Sequence, residues 1–267
     1  MIEVQIIDQM THEYMDLLRH HMSIINMTAT RLFYLLAVIQ LTLSALWITI
    51  TGEPLQRFLS QMVQLTFSFG FFFTLIEYGG EWIPAIFNGF IDLGQETGVQ
   101  SLDPSSIIEQ GIAIAGGIAK GFLKLGMLTH LFIGIVGSII CLIVIIIYAL
   151  IAAELTLVLV KSYILVATSG LFFAFAAHDA TRPVLINYFR TVLGLGLQLM
   201  TLYFLLSVGQ QIGITWAKLA VTSYNNHNLA IMFTVLSAVI IYFLILKTIP
   251  VFVANIAGAK FNKETIR

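Results

Sequence analysis

"GMLTHLFIGIVGSIICLIVIIIYALIAAELTLVLVKSYILVATSGLFFAFAA", residues 126–177, holds two formal charges in 52 residues, Glu154 and Lys161. About 20 apolar residues in a helix cross a ~30 Å hydrocarbon core. This stretch alone therefore points to a membrane. It is roughly twice the length of one span, and its first charge falls near the middle. The simplest reading is two spans joined by a tight turn near Ala152–Glu154.

Outward from this stretch, apolar runs recur at about 32–50, 58–78, 191–209 and 230–249. The 267-residue chain is 58% hydrophobic and 10% charged, with mean hydropathy +0.94. A soluble domain would be about 25% charged. The alternating ten-residue segments of a β-barrel are absent. The expected fold is all-α: a polytopic transmembrane helical bundle of about 5–6 spans with an N-terminal amphipathic helix. The net charge of −1 gives no bulk argument for nucleic acid.

The chain divides by composition into 1–30, an amphipathic helix; 31–79, two membrane segments; 80–125, an acidic connection and a small-residue-rich helix; 126–259, a core of about four segments; and 260–267, a basic tail. The N-terminus lacks the basic start and early apolar core of a signal peptide, so the first span is expected to stay in the mature protein. "TGEP" at 51–54 is a turn, and Pro250 ends the last span. Residues 210–229 read as a polar loop. Asp103 is expected to cap a helix with Pro104 at its first position.

Two patterns suggest helix contacts. Arg57, Gln61, Gln64 and Ser68 form one polar stripe on a Phe-rich helix. Such a stripe faces the bundle interior, bonding to other helices, or a water-filled lumen. Ala113, Gly117 and Gly121 recur every four residues, a spacing that lets helices approach closely in lipid.

Topology raises a conflict. Positive-inside bias puts the basic tail, and with it Arg182 and Arg190, in the cytoplasm. Crossing 126–177 as a hairpin then puts the acidic 77–110 region inside as well, although it has no Lys or Arg.

Catalytic patterns are missing. The chain has no HExxH, GxSxG or Walker motif. Of six histidines only His130 falls in a span, without a second ligand at helical spacing, and Cys141 is the one cysteine. No metal site, cofactor or enzymatic activity is expected. Glu154 and Lys161 remain, seven residues apart and so on one face if one helix holds both. They mark a turn and a lysine reaching for headgroups, or they pair with a neighbouring helix or subunit, or they relay ions.

The region 153–209 and the ending "KTIPVFVANIAGAKF" resemble the TrbL family, polytopic inner-membrane subunits of conjugative type IV secretion systems related to the Vir-type subunit. The resemblance is carried by Glu154, Ser162–Tyr163–Ile164, Thr181–Arg182, Asn187–Tyr188, Gly196–Leu197, Lys247, Pro250 and Gly258. The connection "AFAAHDA", 174–180, lacks the glycines of the pattern. The resemblance implies a non-enzymatic channel or assembly subunit at the bacterial inner membrane. It further implies a homo-oligomeric ring, a pentamer, under the pilus or stalk, in contact with a pilus or stalk subunit and other secretion-system subunits. Translocated DNA or protein would be a transient partner, and membrane lipid a constant one. On that view Glu154 and Lys161 are assembly residues; in an ion-coupled secondary transporter or channel they would couple ions.

Overall fold

Gly52 and Pro54 separate the first two helices. Gly52 takes a left-handed conformation (φ 64°), which closes the first helix through its N–H to the Ile48 carbonyl at 3.0 Å. Pro54 cannot extend that helix but suits the start of the next, its carbonyl accepting from Arg57 N at 2.9 Å. The computed structural model describes residues 6–52, 54–95, 103–123, 131–225 and 229–262. Its helices are α1 (Ile6–Thr51), α2 (Leu55–Gln95), α3 (Pro104–Leu123), α4 (Leu131–Ala174), α5 (Arg182–Asn225) and α6 (Leu229–Asn262). A single 3-10 turn, Phe175–Ala177, follows α4. No strand occurs among the described residues.

Among the described residues five helices are long and apolar enough to cross a membrane: Asp8–Thr51, Gln56–Gln95, Gly134–Ala177, Arg182–Trp216 and Met232–Ile256. The expected hairpin within 126–177 does not form. α4 runs unbroken through Ala152–Glu154 for 44 residues, about 66 Å at 1.5 Å per residue. The local sequence "IAAELT" explains this, because Ala, Leu and Glu favour helix and the stretch lacks Gly, Pro and Asn. A lone carboxylate does not outweigh that preference. The same correction applies elsewhere. The amphipathic start and the first span form the single helix α1, and α5 covers the expected polar loop as far as Asn225. Pro84 and Pro250 lie inside α2 and α6. In lipid the backbone must satisfy its own hydrogen bonds, so a proline is accommodated within a helix more readily than the helix is unwound.

Two compact units form, and every boundary between them falls inside a helix. The first comprises Met1–Glu13, Gly89–Val160 and Gly196–Ile256. Here α3 buries Ile107, Ile114 and Ile118. Gly111 lets it close on Tyr148 of α4, where an added Cβ would collide with the Tyr148 Cβ. Cys141 donates from Sγ to the Ala115 carbonyl at 3.3 Å. Gln110 donates to the carbonyls of Gly209 and Gln210 of α5 at 3.4 and 3.2 Å. The start of α3 follows the expected pattern, with Asp103 just before Pro104. The carboxylate of Asp8 in α1 accepts from both the backbone N–H and the hydroxyl of Ser105, satisfying a donor the helix cannot.

The second unit comprises Tyr14–Asn88, Lys161–Leu195 and Ala257–Arg267. Phe33 of α1 packs edge-on against Phe69 of α2, ring centroids 5.9 Å apart. Gly79 admits Phe173 of α4, which would lie 2.5 Å from an added Cβ. Tyr188 of α5 stacks on Phe172 at 4.6 Å and donates its hydroxyl to the Leu165 carbonyl at 2.9 Å.

Candidate assembly site

The α4–α5 corner holds the most connected set of polar groups in the second unit. Gln40 lies in the apolar run of α1 and is only 7% exposed. Its amide grips Asp179 twice: Nε2 donates to Oδ2 at 2.8 Å, and Oε1 accepts from the Asp179 N–H at 3.2 Å. An amide buried in an apolar helix needs both its donor and its acceptor satisfied, and one aspartate supplies both. Asp179 also meets Arg182 at 3.3 Å. Thr181 donates to the carbonyls of Phe175 and His178 at 2.6 and 3.1 Å. His178 Nδ1 accepts from Ala180 N–H at 3.0 Å. The Thr181–Arg182 pair thus shapes the corner, and Gln40 fastens it to α1.

This arrangement sets an order of effects. Gln40→Leu leaves the Asp179 backbone N–H without its acceptor and should cost about 1–3 kcal/mol. Arg182→Gln removes a pair whose side chains are 42% and 63% exposed, worth ~1 kcal/mol or less. Thermal unfolding in detergent checks this. A larger loss for Arg182→Gln than for Gln40→Leu would refute the ranking.

Continuity of α4 puts Glu154 and Lys161 on one face of one helix, about 10.5 Å apart along its axis. Glu154 is half-buried and Lys161 exposed. Among the described residues neither forms an ion pair. Their surroundings, Leu150, Leu157 and Ile164, are exposed and apolar.

On α2, Arg57 and Gln64 are exposed while Gln61 and Ser68 are half-buried. Gln61, Gln64 and Ser68 make no hydrogen bond among the described residues. α2 is also the least enclosed of the long helices bar none among the described segments, and α5 the most enclosed. On α3 the inward face is Ile107, Gly111, Ile114 and Ile118; Gly117 is buried too, Ala113 is exposed, and the packing of Gly121 lies outside the described side chains. His130 also lies outside the described residues. Among those described, no group of three or more His, Cys, Asp or Glu could hold a metal ion.

The sequence pattern does not single out Gln40, Gly94 or Gly111. Gln40 carried a usable signal, since it is the one amide side chain in 32–50. Its partner 139 positions away carried none.

Comparison with known proteins adds independent information. Over 242 residues the chain is 22% identical to a probable conjugal transfer protein TrbL of Sinorhizobium fredii, covering 90% of this chain and 61% of the relative. Over 184 residues it is 23% identical to a conjugal transfer protein TrbL of Rhizobium radiobacter, covering 69% of this chain and 46% of the relative. The chain therefore spans about half to three-fifths of these relatives. Residues 37–249, from within α1 to within α6, match one family over most of the described bundle. The chain belongs to the TrbL/VirB6 plasmid conjugal transfer protein family.

Proposed function

We propose that this chain is an inner-membrane subunit of a conjugative type IV secretion system. Copies assemble into a ring under the pilus or stalk, and the ring supports transfer of DNA or protein without catalysing a reaction. The family match over 37–249 carries the reading. Glu154 and Lys161, without an ion-pair partner among the described residues, support its oligomeric part, because charges in a span need a partner or water. The polar stripe from Arg57 to Ser68 is a further surface for bonding to other helices or for a lumen, and the Ala113–Gly117–Gly121 stripe is one for close helix packing.

Five crossings also suit the charge distribution. A cytoplasmic basic tail puts the α4–α5 corner and the α1–α2 turn in the cytoplasm. With α4 crossing once, Asp92, Asp103 and Glu109 fall on the opposite side, and the conflict seen in the sequence disappears.

Deleting the gene from a conjugative donor should abolish plasmid transfer, with restoration by the full chain supplied in trans. Unchanged transfer in the deletion would sink the proposal. A Lys263→Cys variant in a Cys141→Ser background should resist impermeant thiol reagents in intact cells. Labelling there would reverse the orientation.

A further inference from the structure

We infer that a water-filled vestibule enters the membrane beside the α1–α2 hairpin and ends at mid-depth, on the α4–α5 corner. The inference rests on the proposed ring: one copy alone leaves the groove below the corner open to lipid, and neighbouring copies close it. All the groups involved belong to the second unit.

Depth comes from the hairpin. Residues 32–50 of α1 and 58–76 of α2 contain no Asp, Glu, Lys or Arg. At 1.5 Å per residue each run is about 28 Å long, close to the thickness of the hydrocarbon core. Gln40 lies nine residues from Arg31 and ten from Ile50, so it stands midway along its run. Its double grip on Asp179 holds the corner at that depth. Beyond the corner the hairpin continues for about 15 Å to its turn, with Leu43, Leu46, Trp47 and Ile50 exposed.

The corner itself is polar and open. Asp179 and Arg182 pair at 3.3 Å with side chains 63% and 42% exposed. A charged pair facing hydrocarbon at mid-depth is costly, and water removes that cost. The hairpin face beneath the corner is polar as well. On α1, Ser44 follows Gln40 by one turn. On α2, Gly79 is where α4 rests, through Phe173. Eighteen residues make five turns, so Gln61 repeats the direction of Gly79, and Gln64 and Ser68 lie within about 60° of it. The polar stripe thus continues the surface that carries α4 past the point where α4 ends. Gln61, Gln64 and Ser68 make no hydrogen bond among the described residues, and water in the vestibule supplies those bonds. Val63, about 160° away from Gly79, is exposed and apolar. A hydrophilic solute entering from the turn side, cytoplasmic in the proposed orientation, then meets only the remaining half of the hydrocarbon layer.

The test uses the full chain with Cys141→Ser in lipid nanodiscs, where both membrane faces are open to solvent. The single-cysteine variants Gln64→Cys, Ser68→Cys, Ala180→Cys and Val63→Cys are treated with a charged methanethiosulfonate. The thiolate is the reacting species and forms in water rather than in hydrocarbon, so the first three should label about tenfold or more faster than Val63→Cys. Native mass spectrometry of the same samples reports the oligomer. Protection of Gln64→Cys and Ser68→Cys in an intact oligomer overturns the inference and leaves the ring standing. Labelling of Val63→Cys as fast as Gln64→Cys puts the hairpin tip outside the membrane and overturns it as well. A monomeric wild-type chain overturns both. Ser68→Cys and Ala180→Cys change little volume, so a folding defect in Gln64→Cys does not silence the test.

Discussion

Glu154→Gln and Lys161→Met are each expected to abolish assembly, and plasmid transfer with it. Both side chains lie on α4, and neither has an ion-pair partner in its own chain among the described residues. If neighbouring copies supply the counter-charges, removing one group leaves its partner charged in a desolvated contact. For a buried pair that penalty is about 3–5 kcal/mol, enough to shift association by two orders of magnitude or more. The double variant, Glu154→Gln with Lys161→Met, should be milder than the worse single one, because it leaves no orphaned charge between copies. Native mass spectrometry gives the oligomer and mating frequency gives the function. Ion coupling would produce a different pattern: an intact oligomer in Glu154→Gln with loss of a gradient-driven flux. Normal assembly and transfer in all three variants would leave Lys161 reaching for headgroups and no role for either charge in assembly.

A second large effect is expected at Gly94. An added Cβ would sit 2.5 Å from the Met200 carbonyl oxygen and 2.9 Å from Tyr203 Cβ. Those atoms belong to or adjoin the α5 backbone, so no side-chain rotation clears them. Overpacking a tight core typically costs about 1–3 kcal/mol, and Gly94→Leu should exceed that range because the helices themselves must separate. Gly111→Leu meets the Tyr148 Cβ and should behave alike. Gly89 is the control on the same helix as Gly94, with nothing within 4 Å of an added Cβ. Gly89→Ala should be neutral or stabilising by up to ~1 kcal/mol, from helix propensity. Thermal unfolding of the purified protein in detergent separates the cases. Equal stability for Gly94→Leu and Gly89→Ala would show that the close approach is not maintained in solution.

The membrane class and the positions of most apolar helices were legible because hydrocarbon imposes a length and a composition on any span. Helix ends were legible where local chemistry dictates them, at Gly52–Pro54 and Asp103–Pro104. The departures from expectation share one cause: local helix preference outweighs a span-length rule and a single polar or proline residue. Glu154 suggests a turn, yet "IAAELT" contains no turn former, and Pro250 suggests a stop, yet lipid rewards an unbroken backbone. On α3 the small-residue stripe is not the whole of the packing face. Gly111, two positions before Ala113, makes the close approach. The Gln40–Asp179 grip was out of reach, because hydrogen bonding between distant segments depends on a fold that periodicity does not encode.

The unbroken run of α4 has a consequence for depth. A greasy rod about 66 Å long in a ~30 Å layer of oil has no favoured height, since sliding it exchanges one apolar turn for another. Glu154 and Lys161 break that indifference. Like draught marks on a hull, they would show where the rod, and the helices packed on it through Tyr148 and Phe173, comes to rest: at the depth where water, headgroup or neighbour satisfies both charges.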